Sequence, residues 1–420
     1  MQIEIKAPDR LCGTVALPSS KSISNRALVI NALAGNGRLP DNVSDCDDTK
    51  VMVRWLAERP DVVDVGAAGT AMRFSSALLA VTEGTHVITG SERMKNRPIR
   101  ILVDALRALG AQVEYVEKEG FPPLRITGDT ELEGGSLSLP GNVSSQYISA
   151  LLMIAPILKR GLTLTLTDEI VSRPYIDLTI NLINDFGGDA GWEGADTVRV
   201  VPKRYVPCDY FVESDWSAAS YWYEMVALSD DAELVLPGLF PDSYQGDSKV
   251  AEIFELLGVK TEFIWADADG GDKSGIRIYK SSLPMKREEG VFCYNFVDQP
   301  DLAQTFVVTC CMLDMPFHFT GLQSLKIKET DRIEALKREM KKLGYVLEDR
   351  NDCELVWNGE RTVAASEVAI DTYEDHRMAM AFAPCAIKLG RIKINNPEVV
   401  TKSYPGYWEE IGRLWRRREI

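Results

Sequence analysis

Histidine is scarce in this chain. His86, His318 and His376 are the three in 420 residues. No two of them stand at a metal-ligand spacing, and there is no H-E-x-x-H. The eight cysteines (12, 46, 208, 293, 310, 311, 353 and 385) form no C-x-x-C pair. That excludes a zinc ribbon and a dithiol redox motif, and the thiols read as reduced, with Cys310-Cys311 in an apolar core run. No G-x-x-x-x-G-K-[ST] occurs, which argues against an ATP-binding P-loop. No G-x-G-x-x-G follows a strand-like run and no G-x-S-x-G is present, so dinucleotide and serine-hydrolase readings fall away. Positive charge is in deficit. Forty-seven Lys and Arg against 62 Asp and Glu leave a formal net charge of −15, which argues against nucleic acid or an acidic membrane as partner. The longest apolar run, 148–158, is broken by Ser149 and Pro156 and is too short to span a bilayer. Residues 1–10 carry neither an apolar signal core nor an Arg/Ser-rich transit pattern. The expectation is a soluble cytoplasmic protein of two or three domains.

Against these absences stands Leu17-Pro18-Ser19-Ser20-Lys21-Ser22-Ile23-Ser24-Asn25-Arg26. A β-rich run over 14–17 stops at a proline, and a helical apolar run over 27–33 follows. A strand end feeding a helix start gathers free backbone N–H groups, and here two cations and several hydroxyls lie with them. That is an anion site in outline.

The arrangement recurs. Amphipathic runs end in Leu-Gly or Phe-Gly at Gly110, Gly187, Gly258, Gly344 and Gly390. Each glycine suits the position after a helix, where the chain needs a left-handed residue. The first four lie roughly 70 to 90 residues apart, the spacing of a copied supersecondary unit. Helix starts repeat as well: Arg97-Pro98-Ile99, Arg173-Pro174-Tyr175, Gly246-Asp247-Ser248-Lys249 and Lys328-Glu329-Thr330-Asp331-Arg332. Proline suits helix entry. A cation there opposes the helix dipole, and its repetition predicts a bound anion. Strand-like stretches such as 163–167 and 198–201 separate the helices. The fold class is α/β, with no linker rich in Pro, Ser or Gly and a domain change near 210–220.

The available chemistry is Lys, Arg, Ser, Asp and Glu. The segments 66–73 and 141–146 offer further donor-rich helix entries. Asp301 opens an apolar run as a helix cap or a base. Lys328 and Arg332, four apart, are expected on one helix face with Glu329 tuned between them. His376, in Asp375-His376-Arg377, is a minor candidate. Many fixed donors with a few carboxylates and a lysine suit clamping a multiply anionic small molecule and moving protons on it.

Eight motifs in order now resemble a known family. They are Ser20-Lys21-Ser22 with Asn25-Arg26, Gly69-Thr70-Ala71-Met72-Arg73, Arg93-Met94-Lys95-Asn96-Arg97-Pro98-Ile99 and Ser144-Ser145-Gln146. Then come Gln299-Pro300-Asp301, Lys328-Glu329-Thr330-Asp331-Arg332, Asp375-His376-Arg377-Met378-Ala379 and Thr401-Lys402-Ser403-Tyr404-Pro405. The set is similar to the 5-enolpyruvylshikimate-3-phosphate synthases, enolpyruvyl transferases of the shikimate pathway and targets of glyphosate. The resemblance implies transfer of the enolpyruvyl group of phosphoenolpyruvate to the 5-hydroxyl of shikimate 3-phosphate, through a tetrahedral adduct. It implies no metal or organic cofactor, no nucleic-acid or membrane partner, and a monomer. It implies two similar domains, 20–213 and 1–19 plus 214–420, each of three βαβαββ units in an inside-out α/β barrel, closing over the substrates. By matched motif, Lys21, Ser22, Arg26, Ser144, Ser145, Gln146, Ser172, Tyr175, Asp301 and Lys328 would hold shikimate 3-phosphate. Lys21, Gly69, Arg97, Gln146, Arg332, His376, Arg377 and Lys402 would hold phosphoenolpyruvate. Asp301 would take the hydroxyl proton, and Glu329 with Lys21 would serve the methylene carbon.

The chain departs from the family pattern at Ser19 and Ala67, where Gly and Asn are usual, and near Ser324, where an Asn is usual. The stretch 49–65 is short, so one repeat unit is trimmed. Two alternatives follow. One is the sister enzyme that uses UDP-N-acetylglucosamine, whose mobile-loop cysteine has no counterpart in 93–97. The other is a non-catalytic relative that binds a phosphorylated ligand.

Overall fold

The computed structural model describes residues 1–265, 274–281 and 290–415. The chain forms two compact units. One is Ser19–Val212, and the other joins Met1–Pro18 to the stretch from Glu213 onward. Each has its own apolar core.

One strand pattern recurs in both. In Ser19–Val212, Val62–Asp64 runs parallel to Gly84–Thr89, which pairs antiparallel with Leu124–Gly128, and Gln112–Tyr115 lies at the edge. Gly135–Pro140, Leu162–Thr167, Thr197–Val200 and Ala190–Glu193 repeat that order. In the other unit, Leu11–Thr14, Ala232–Pro237, Gly275–Lys280 and Val259–Ile264 repeat it. So do Phe292–Asn295, Phe317–Thr320, Glu354–Trp357 and Glu348–Arg350. A fifth sheet has three of the four strands: Ala369–Ile370, Arg391–Asn395 and Gln2–Lys6, the chain start supplying the last. Parallel pairing needs a crossover, which a helix provides each time.

The sixth copy differs from the expectation of six βαβαββ units. It keeps two helices, α1 (Lys21–Leu33) and α2 (Asp47–Glu58). Among the described residues it has no sheet, only an isolated bridge from Asp41 to Phe211. Strand Val62–Asp64 of the next copy begins almost directly after α2, leaving no chain for a hairpin.

The glycines behave as their positions demand. Gly110, Gly187, Gly258, Gly344 and Gly390 have φ of +103°, +79°, +83°, +91° and +81°, conformations costly for any residue with a Cβ. Helices apolar on every side lie at the centre of each unit. In Trp216–Leu228 all residues but Ser217 are buried, and Ser145–Ile154 is buried from Tyr147 onward. The 148–158 apolar run is therefore core, and no described helix is long and apolar enough to cross a membrane. All eight cysteines are free thiols, with Cys310 and Cys311 buried. One boundary moves: the strand before the first motif is Leu11–Thr14, not 14–17, because Leu11 to Thr14 pair with Ala232 to Val235.

Candidate active site

In Ser19–Val212, the first motif caps α1. Ser20 accepts from the Ile23 N–H (3.4 Å), and Lys21 is the first helical residue. The Lys21 ammonium lies 3.5 Å from the Asp48 carboxylate of α2. The helix α3 (Gly69–Ala80) starts at the Gly-Thr motif. Gly69 is glycine for space: a Cβ there would sit 2.5 Å from Arg97 Nη1. The Gln146 amide donates to Thr70 Oγ1 (3.0 Å), and Tyr147 OH donates to the Pro98 carbonyl (2.7 Å). Gly69, Thr70, Arg97 and Gln146, far apart in sequence, therefore meet. Ser144 caps its helix, accepting from the Gln146 N–H, with Ser145 next.

Arg26 is held within the protein. It is 2% exposed. It donates to Thr179 Oγ1 (2.8 Å), Ser149 Oγ (2.9 Å), the Ser22 carbonyl (2.9 Å) and the Tyr175 carbonyl (3.4 Å). Those bonds engage four of its five N–H groups and tie α1 to two neighbouring helices. Burial pulls its pKa down to about 10, against a smaller opposing pull from Tyr175, so it stays cationic at neutral pH. Ser172 precedes helix Arg173–Asp185 in a left-handed conformation, φ +57°.

In the other unit, the carboxylates converge on arginines. Arg332, 1% exposed, donates through Nη1 to Asp301 (2.9 Å), through Nη2 to Glu329 (2.8 Å) and through Nε to Asp375 (2.7 Å). Arg377 Nη2 donates to the other Asp301 oxygen (3.0 Å), and Lys328 Nζ lies 3.5 Å from the oxygen that Arg332 holds. Three carboxylates and three cations thus form one network. Burial works to lower the Arg332 pKa, but Asp375, Glu329 and Asp301 outweigh it, and the net direction is up. Lys328 and Arg332 do not share a helix face. The helix begins at Arg332, capped by Asp331, and Lys328 lies before it in irregular chain. They meet through Asp301 instead. His376 is closed in at 2% exposure, at the first position of helix His376–Phe382. Lys402 ends a short 3₁₀ turn, Pro397–Lys402, and makes no ion pair with a described residue.

The helix-start cations separate on inspection. Arg332 is held by internal carboxylates, and Lys249 pairs with Glu252 (2.8 Å). Arg173 stacks on Trp192 (3.8 Å to the centroid) and donates to the Ala195 carbonyl (2.8 Å). Arg97 alone of these four makes no ion pair or side-chain hydrogen bond with a described residue.

Three acidic residues escaped the sequence reading of roles. Asp375 holds Arg332, Asp48 faces Lys21, and Asp247 lies buried near the arginine cluster. Asp247 accepts from Ser217 Oγ, and its other oxygen has no hydrogen-bond partner. Its carboxyl is pushed up to about 7 by burial first and by the charge of Asp301 next, with Arg377 opposing. The Gly-Asp-Ser-Lys helix start was the available signal for Asp247.

The architecture is shared with solved structures. An EPSP synthase from Acinetobacter baumannii aligns with TM-score 0.76 at 21% identity, covering 99% of this chain and 98% of that one. The enolpyruvyl transferase NikO from Streptomyces tendae aligns with TM-score 0.69 at 15% identity, over 98% and 96%. The fold is that of the enolpyruvyl transferases. Within that class, the profile of EPSP synthase (3-phosphoshikimate 1-carboxyvinyltransferase) matches residues 5–59 and 54–411. A 3-phosphoshikimate 1-carboxyvinyltransferase from Bacteroides fragilis is 58% identical over 411 residues, covering 98% of this chain and 97% of its own. One from Vibrio cholerae is 34% identical over 97% of each chain. The chain belongs to the EPSP synthase family.

Proposed function

We infer that this chain is a 3-phosphoshikimate 1-carboxyvinyltransferase, moving the enolpyruvyl group of phosphoenolpyruvate to the 5-hydroxyl of shikimate 3-phosphate and releasing phosphate. The observation that carries the reading is the pair of carboxylates, Asp301 and Glu329, set on one buried guanidinium. A simple anion binder has no use for acids there.

In the addition step the 5-hydroxyl oxygen attacks C2 of phosphoenolpyruvate. Asp301 takes the hydroxyl proton, and Glu329, with Lys21, delivers a proton to the C3 methylene. In the elimination step C3 returns a proton to Glu329, the C2–O bond to phosphate breaks, the hydroxyl proton held by Asp301 leaves with the phosphate, and the enol ether forms. The scheme balances without a further reactant. Arg97, Lys402, Gln146 and the N–H of Gly69 take the phosphate and carboxylate of phosphoenolpyruvate, with Arg332, Arg377 and Lys21. Ser22, Ser144, Ser145, Ser172, Tyr175 and Lys328 take shikimate 3-phosphate. Arg26 supports that pocket by holding three helices together, and one guanidinium N–H remains for a ligand. We take the two units as the two domains of a monomeric cytoplasmic enzyme. Eight free thiols fit a reducing compartment.

The test is phosphate release from phosphoenolpyruvate with shikimate 3-phosphate or UDP-N-acetylglucosamine as acceptor. Release with the first alone supports the reading. Release with the second, or with neither in a folded sample, overturns it.

A further inference from the structure

Where α2 ends, the trimmed repeat leaves an opening inside the Ser19–Val212 unit. In the complete repeats a hairpin follows the second helix; here Arg59-Pro60-Asp61 leads straight into the next strand. Beside that junction lies a cavity of about 510 Å³, within the ordinary size of small-molecule sites.

Four of its apolar lining residues are buried: Trp55 (6% exposed), Leu78, Leu79 and Val81. Leu33 and Ile157, half-buried, extend the apolar wall. The rim is polar and carries both signs of charge. Arg59 and Arg204 are exposed on it, and so are Asp61 and Glu83. None of these four makes an ion pair with another described residue. The Trp55 indole N–H is buried without a hydrogen-bond acceptor among the described residues.

These features select among ligands. An apolar wall that includes an indole suits a ring. Guanidinium groups at the mouth suit a carboxylate, and the carboxylates beside them suit an ammonium. A purely apolar ligand would leave the rim unused, and a simple anion would leave the apolar wall unused.

We propose that the cavity beside α2 is a binding site for an α-amino acid with an aromatic side chain. Its carboxylate pairs with Arg59 and Arg204, its ammonium with Asp61 and Glu83, and its ring lies on Trp55. The site is separate from the residues assigned to phosphoenolpyruvate and shikimate 3-phosphate, and the inference does not depend on their roles.

The test is calorimetric titration of the full chain with L-phenylalanine, with shikimate 3-phosphate present at saturation. The expected result is saturable one-to-one binding. 3-Phenylpropionate lacks the ammonium and phenethylamine lacks the carboxylate, and each binds at least about tenfold more weakly, a loss of roughly 1.4 kcal/mol. Ile157→Trp fills the wall and Arg59→Glu reverses a rim charge. Each weakens L-phenylalanine binding by about tenfold or more while turnover on the normal substrates is unchanged. No saturation up to about 10 mM L-phenylalanine overturns the proposal. So does equal binding of all three compounds, or binding untouched by both variants.

Discussion

Two arginines, Arg332 in one unit and Arg97 in the other, are held in opposite ways. In the unit that includes Asp301, the guanidinium of Arg332 is engaged by Asp301, Glu329 and Asp375 before any substrate arrives. In Ser19–Val212, Arg97 rests against Gly69 without an ion pair to a described residue. The contrast teaches a division of labour. Carboxylates that move protons need cations to fix them, and cations that capture an incoming anion need to be uncommitted. The first arrangement costs binding strength, since substrate anions compete with internal carboxylates. The second has that strength to give.

The largest effect that tests this contrast is expected from Asp301→Ala. Turnover falls on the order of 10²-fold or more, the usual contribution of a positioned base. Shikimate 3-phosphate still saturates the variant, because Ser22, Ser144, Ser145, Ser172, Tyr175 and Lys328 remain to hold it. Steady-state kinetics with both substrates varied reads both parts, and a rise in KM with kcat intact would reverse the roles given to the two units. Next is Arg97→Ala, which removes charge-assisted contacts worth about 1.5–3 kcal/mol. It raises the KM for phosphoenolpyruvate by about 10- to 100-fold, with the larger share of the loss in KM. Gly69→Ala is milder. The added methyl meets Arg97 Nη1 at 2.5 Å, so the guanidinium is pushed aside while the helix start accepts alanine readily. Phosphoenolpyruvate affinity drops several-fold, about 1 kcal/mol, and the melting temperature stays level.

The smallest effect is on stability. Asp247 has its carboxyl raised to about 7 by burial and by Asp301, above the value near 4 of an unfolded chain. The folded state then binds more protons than the unfolded one between those values. Stability from this group is full below pH 4 and is lost as pH rises through 7. Asp247→Asn removes the penalty. Thermal melts should show the variant gaining on the parent from pH 5 to pH 8, by a few kcal/mol at most. A gap that does not widen with pH contradicts the burial argument.

Much of the repeat architecture was legible because its signals are local. A glycine after a helix marks a left-handed turn whatever surrounds it, and all five such glycines have positive φ. Helix starts were legible for the same reason. Which cations stay available was not, because partners come from afar. Asp375 reaches Arg332 across 43 positions, and the Arg26 partners Ser149 and Thr179 lie 123 and 153 positions away. The face shared by Lys328 and Arg332 failed for a local reason: Asp331 caps the helix and leaves Lys328 outside it. The shortness of 49–65 was visible, but the cavity beside α2 required Leu78, Val81, Ile157 and Arg204, which only folding brings to Trp55.

The most direct measurement of the division of labour is solvent deuterium entering C3 of phosphoenolpyruvate during turnover. It should be compared in the parent, Glu329→Gln and Arg97→Ala at saturating substrates. The account predicts that Glu329→Gln loses exchange together with turnover while phosphoenolpyruvate still saturates, and that Arg97→Ala keeps the parental exchange per turnover. Exchange at the parental rate in Glu329→Gln, or its loss in Arg97→Ala at saturation, would contradict it.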